Sequence, residues 1–215
     1  MSLRVGVALA GVLLVASSST AYAQKAEIHI ILPERTQLGV EAPSARSSAL
    51  LSDAPMRQLL VNGFPARLHY RMERWATGGW FDDIKAAAEW DVVVKYDALG
   101  KRYHVFRAVG NRAIELGSYE TVAEAQEMVS APFRAPISLP RRGQRTYYNL
   151  VLDIEILSLT EIDEVERWLR GELKPAVRGK KNPGTAVSRG VRTLVVRLLG
   201  GEKRRYEARS GAFRP

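Results

Sequence analysis

From Ala66 to Glu73 the chain reads Ala-Arg-Leu-His-Tyr-Arg-Met-Glu. That strict alternation constrains the fold more than any other feature. Side chains along an extended strand point alternately to its two faces. Ala66, Leu68, Tyr70 and Met72 therefore form a dry face, and Arg67, His69, Arg71 and Glu73 a wet one. A slip of one residue buries the four polar groups, so the register is firmly set. A strand of this kind belongs to an antiparallel sheet with one face against a second layer.

Other segments supply its neighbours. Glu27 to Leu32 is a β-branched run ended by Pro33, whereas residues 34–52 are small and polar without period and read as a surface loop. Trp90–Tyr96 and Lys101–Arg107 flank Asp97-Ala98-Leu99-Gly100, a hairpin pattern. Arg112–Ser118 adds a further strand, and Tyr147–Leu157 another, with Leu150, Leu152, Ile154 and Ile156 on one face. Val191–Leu199 and Lys203–Ala208, around Gly200-Gly201, read as a terminal hairpin. Asp53 caps a short helix over Ala54–Asn62, with Pro55 in its first turn and Gly63 closing it. Thr121-Val122-Ala123-Glu124 fits a capping box, followed by an apolar stripe of Val122, Ala125, Met128 and Val129 that Pro132 stops. Thr160 caps another helix with Ile162, Val165, Trp168 and Leu169 on its stripe and Gly171 at its end. Helices do not alternate with strands. The expected fold is mainly β, a β-rich α+β chain: an antiparallel two-sheet β-sandwich with two or three short helices in a single domain over residues 24–215.

The first 23 residues read as a signal peptide. Arg4 supplies a basic start, Val5 to Ala16 is an apolar run of 12 residues, and Ala21-Tyr22-Ala23 matches the small-x-small cleavage pattern before Gln24. Twelve helical residues cover about 18 Å of a hydrocarbon core roughly 30 Å thick. Cleavage is therefore the expectation rather than an anchor, with export to the periplasm or beyond. The chain has no cysteine, which excludes disulfides, thiol nucleophiles, thiolate metal sites and lipid attachment at a cysteine.

Charge is uneven. Residues 24–171 hold 19 lysines and arginines against 20 acidic residues, while residues 172–215 hold 12 against 3. This basic terminal region offers Lys174, Arg178, Lys180, Lys181, Arg189, Lys203, Arg204 and Arg205 as an anion-binding set. Its expected partners are an envelope protein or an anionic envelope surface of phospholipid heads or lipopolysaccharide; the plainer alternative is a solvated loop that serves solubility. Nucleic acid is not expected, since no recognition motif accompanies the charge.

Catalytic patterns are missing from the sequence. No nucleophile elbow exposes a serine, and Gly179 to Thr185 lacks the order of a phosphate loop. The histidines, His29, His69 and His104, are scattered, so no metal ligand set and no cofactor are expected. His69 and His104 meeting across a sheet would make a protonation switch; three separate histidines is the simpler expectation. Asp82-Asp83 in a turn, and Asp153 with Glu155 on one strand face, are the carboxylates available to a hydrolase or lyase, and water-exposed polar positions are the plainer explanation of both. Among Trp75, Trp80, Trp90 and Trp168, the candidate for partner binding is Trp80 with Phe81, beside two glycines in a hairpin tip. Trp90 and Trp168 read as core.

The order of these motifs resembles a known family. Asn62-Gly63-Phe64-Pro65, Gly79-Trp80-Phe81-Asp82, Val94-Lys95-Tyr96-Asp97-Ala98-Leu99, Lys101-Arg102-Tyr103-His104-Val105, the helix with Ala123-Glu124-Ala125, and the Asp153–Leu157 strand follow one another as in exported bacterial proteins catalogued as domain of unknown function 4390. The resemblance covers residues 25–212. It implies no activity, cofactor or catalytic residue; family members encoded beside membrane-bound sensor kinases make it a pointer to envelope sensing. The expectation is a non-enzymatic envelope β-domain that binds an envelope component or assists a membrane sensor. An envelope-polymer hydrolase or lyase, and a passive structural protein, are the alternatives.

Overall fold

The computed structural model describes residues 25–78, 80–110, 112–157 and 204–215. The leader, the helix expected after Thr160, the basic segment from Lys174 to Lys203 and the Val191–Leu199 strand lie outside the described residues. The fold is mainly β and its two sheets are antiparallel throughout. A three-stranded sheet has the order β1 (Glu27–Ile31), β2 (Ser44–Ser48), β7 (Phe133–Arg134). A six-stranded sheet has the order β6 (Arg112–Tyr119), β5 (Arg102–Val109), β4 (Asp83–Asp97), β3 (Ala66–Ala76), β8 (Thr146–Ile156), β9 (Arg204–Arg209). Helices α1 (Ala54–Val61) and α2 (Val122–Ser130) complete the described elements.

Strand β3 lies at the centre of the larger sheet, and its alternation orders the whole layer. Leu68 faces Val92 on β4 and Ile154 on β8; Met72 faces Ala88 and Leu150. These dry faces join Ile28, Ala45, Leu60, Tyr70, Trp90, Val129 and Tyr148 in one core. Each fully buried aliphatic or aromatic side chain contributes roughly 1.5–3 kcal/mol. Tyr70 stacks on Trp90 at 5.2 Å and donates its hydroxyl to Ser47, whose own hydroxyl donates to the Val129 carbonyl of α2. Burial pushes the Tyr70 phenol up to about 12.

Local signals place the ends of the elements. Asp53 accepts from the Met56 amide at 3.0 Å and starts α1, which buries Met56, Leu59 and Leu60. Thr121 and Glu124 form the reciprocal capping box of α2. In the β4–β5 turn Asp97 accepts from the amides of Leu99 and Gly100. A Cβ at Gly100 would lie 2.5 Å from the Asp97 carboxylate, so a larger residue there would displace that cap.

Residues 34–52 are not a plain loop. They carry a short 3-10 turn at Arg35–Gln37 and strand β2, Ser-Ala-Arg-Ser-Ser. Nothing apolar alternates in that strand. It is held instead by pairing with β1 and β7 and by the buried Ser47 hydroxyl bonded to α2. Strands β3 and β4 also run past their expected ends, to Ala76 and from Asp83. That extension puts Arg74 on the dry face, next to Met72 in period, where it is 6% exposed.

Candidate functional site

The β3–β4 hairpin ends in residues 77–82, and Trp80 and Phe81 stand at its tip, 97% and 86% exposed. Single apolar residues on a surface are ordinary, whereas two adjacent large aromatics left in water mark a contact surface. The base of the hairpin is held firmly. The Thr77 amide and hydroxyl both donate to the Arg145 carbonyl, at 2.9 and 3.3 Å. Asp82 accepts from the Tyr147 hydroxyl at 3.0 Å, and the Arg209 guanidinium lies 3.7 Å above the Tyr147 ring and 3.7 Å from Asp82. Tyr147 in turn stacks on Trp75, with ring planes 5° apart. Burial first, and then the hydrogen bond to Asp82, raises the Tyr147 phenol above its ordinary value. Asp83 pairs with Lys85.

The same end of the sheet gathers arginines from distant parts of the chain. The Gln144 amide donates to the Arg141 carbonyl and the Gly143 amide to the Pro215 carbonyl. Thr146 and Phe213 exchange two backbone bonds of 2.8 Å. Segments 141–146 and 210–215 are thereby tied together beside the hairpin base. Arg141, Arg142, Arg145, Arg209 and Arg214 are all exposed there. Asp82 and Asp83 are the acidic residues next to the hairpin tip, and each already has the partner given above.

The residues singled out in the sequence are dispersed. Arg204 holds the Asp53 carboxylate at 2.9 Å and so braces the start of α1. Arg205 pairs with Glu207 at 2.8 Å and lies 3.9 Å from Asp153. Both arginines face carboxylates of the protein itself. Lys174, Arg178, Lys180, Lys181, Arg189 and Lys203 lie outside the described residues. The aromatic pair at the tip was legible in the sequence; the arginines of segment 141–145 were not singled out there, although Arg141-Arg142 and Arg145 were a visible cluster.

The carboxylates and histidines do not converge. Asp82 and Asp83 have different partners, Asp153 stands opposite His69 in register, and Glu155 stands opposite Arg67. His69 and His104 sit on β3 and β5 with β4 between them. His29 lies 3.4 Å from Glu27, His69 2.8 Å from Asp91 and His104 2.7 Å from Glu115. Arg67 grips the same Asp91 with two bonds of 2.9 Å. Burial works to raise the Asp91 carboxyl, but the bonds from His69 and Arg67 outweigh it and leave the group below its ordinary value. Among the described residues no three His, Cys, Asp or Glu side chains group as a metal site, and no helix is long and apolar enough to cross a membrane. Compared with known proteins, the chain matches no family model, and neither a curated protein nor a solved structure is significantly similar to it.

Proposed function

We propose that the protein is a non-enzymatic, exported binding domain that docks on the anionic lipid surface of the cell envelope through Trp80, Phe81 and the arginines around them. The observation that carries this reading is the near-complete exposure of two adjacent aromatics on a hairpin whose base is bonded to the Arg145 carbonyl and carries the Arg209 guanidinium. Tryptophan favours the headgroup level of a bilayer, and guanidiniums hold phosphate with paired bonds. Burying each aromatic contributes ~1.5–3 kcal/mol, and each arginine near an anionic surface about 1 kcal/mol. The sum is that of a reversible, salt-sensitive contact rather than a permanent anchor. Export rests on the leader pattern and on the resemblance in motif order described above.

Vesicle co-sedimentation tests the reading. The mature protein is expected to bind vesicles containing phosphatidylglycerol and not vesicles of phosphatidylcholine alone, and to lose binding as salt rises past ~0.15 M. Trp80→Ser with Phe81→Ser is expected to weaken binding about tenfold or more without changing the melting temperature. Equal binding to neutral vesicles, or full binding by the double variant, overturns the proposal.

A further inference from the structure

The arginines of the described surface differ in what occupies their N–H groups. Arg67 donates to Asp91, Arg102 to Ser118, Arg134 to Glu41, Arg204 to Asp53 and Arg205 to Glu207, all at 2.8–2.9 Å. A guanidinium bonded in this way is already engaged by the protein itself.

Arg209, the last residue of β9, is held differently. Its guanidinium carbon lies 3.7 Å from the centre of the Tyr147 ring, and Nη2 lies 3.7 Å from the Asp82 carboxylate. Both contacts fix its place, yet neither is a hydrogen bond, because an N–H donor meets its acceptor at about 2.7–3.2 Å. The Asp82 oxygen nearest to it already accepts from the Tyr147 hydroxyl at 3.0 Å. The Arg209 side chain is 61% exposed, so its planar fork is held in position and open to water at once.

Strand register brings this cation to the aromatic tip. Arg209 stands opposite Asn149 on β8, two residues along the same face from Tyr147. Tyr147 stands opposite Trp75 on β3, and its hydroxyl bonds Asp82, the residue that follows Phe81. Stacking on a ring restricts a side chain before any ligand arrives, which lowers the cost of ordering it on binding.

Resting on the docking reading above, we infer that Arg209 is the headgroup-recognising residue of the tip: it grips the phosphodiester of an anionic lipid while Trp80 and Phe81 enter the apolar layer. A phosphodiester presents two unbridged oxygens, which match two parallel N–H donors. The Asp82 carboxylate beside the fork disfavours a second negative charge, so a monoanionic diester fits better than a phosphate monoester. Phosphatidylcholine carries the same diester next to a choline cation, which repels the guanidinium. Lysine at this position would keep the charge but lose the fork and the stack. General attraction to an anionic surface counts lysine and arginine alike, so the two variants separate recognition from charge.

The test measures binding to phosphatidylglycerol vesicles by the mature chain and its variants. Arg209→Lys is expected to bind about fivefold or more weakly with an unchanged melting temperature. Arg134→Lys, a like change at an arginine of equal exposure on β7, is expected to stay within about twofold. In the wild type the Arg209 Nε–Hε resonance is expected to shift with bicelles containing phosphatidylglycerol and to ignore sodium phosphate at the same phosphorus concentration. If Trp80→Ser with Phe81→Ser loses binding while Arg209→Lys binds as tightly as the parent, the inference is overturned and the docking reading stands. Equal binding of the parent to phosphatidylcholine vesicles overturns both. An Arg209 resonance that answers free phosphate as it answers bicelles makes Arg209 a site for the ion and also overturns the inference. Should Arg209→Lys not fold, the wild-type resonance decides the matter by itself.

Discussion

The two faces of strand β3 are built on different physics. On the inner face Leu68, Tyr70 and Met72 are removed from water against the opposing sheet, and area is what stabilises them. On the outer face Arg67, His69, Arg71 and Glu73 are ordered by partners of opposite sign on β3 itself and on β4. Each face also holds a residue of the other's kind. Arg74 is a charge in the dry layer, and His69, at 6% exposure, is a buried group in the polar one. His69 is satisfied by Asp91, while among the described residues two nitrogens of Arg74 have no hydrogen-bond partner. The difference teaches that a polar group in a sheet is judged by its neighbours across the strands, not by its own burial.

The comparison can be broken at its strongest point first. Leu152, fully buried opposite Tyr70, should cost about 2–5 kcal/mol when cut to alanine, read as a lower urea midpoint with an unchanged slope. A loss below 1 kcal/mol would mean that the inner face is not the stabilising layer. Asp91→Ala tests the outer face, since it strands Arg67 and His69 together; about 2–4 kcal/mol is expected because the pair is largely sheltered. The same residue sets an acid limit. Its folded carboxyl titrates below the ordinary 3.8, so its contribution is fully present above that value and is lost as pH falls through the lower, folded one. Asp91→Asn should flatten the stability profile in that acid window alone. Glu89→Ala should do least, at most about 1 kcal/mol, because its bridge to Arg71 is 43% exposed on both sides. A large loss there would show that exposed pairs on this face act as one network.

Much of the fold was legible because its signals are local. The alternation of Ala66–Glu73, the Asp97 turn, the Asp53 cap and the Thr121–Glu124 box each depend on residues within a few positions, and each stands where the sequence placed it. Strand β2 was not legible. Its Ser-Ala-Arg-Ser-Ser has no strand pattern and becomes one only when β1 and β7 pair with it and α2 accepts its Ser47 hydroxyl bond. The candidate surface divides the same way. Trp80 and Phe81 were visible as a pair, whereas their full exposure and the arrival of segments 141–146 and 210–215 beside them were not.

The sequence by itself determined the alternating strands, their faces and the helix caps, since side-chain alternation and terminal hydrogen bonds are decided by near neighbours. It also determined that chemistry based on thiols is closed to this chain. Only the tertiary structure decided which charges meet. The Arg67–Asp91–His69 cluster, the Arg204–Asp53 brace and the burial of Arg74 arise from strand register and chain crossings. An ion pair falls off within a few ångströms of separation, and no pattern along the chain specifies such a distance between residues tens of positions apart.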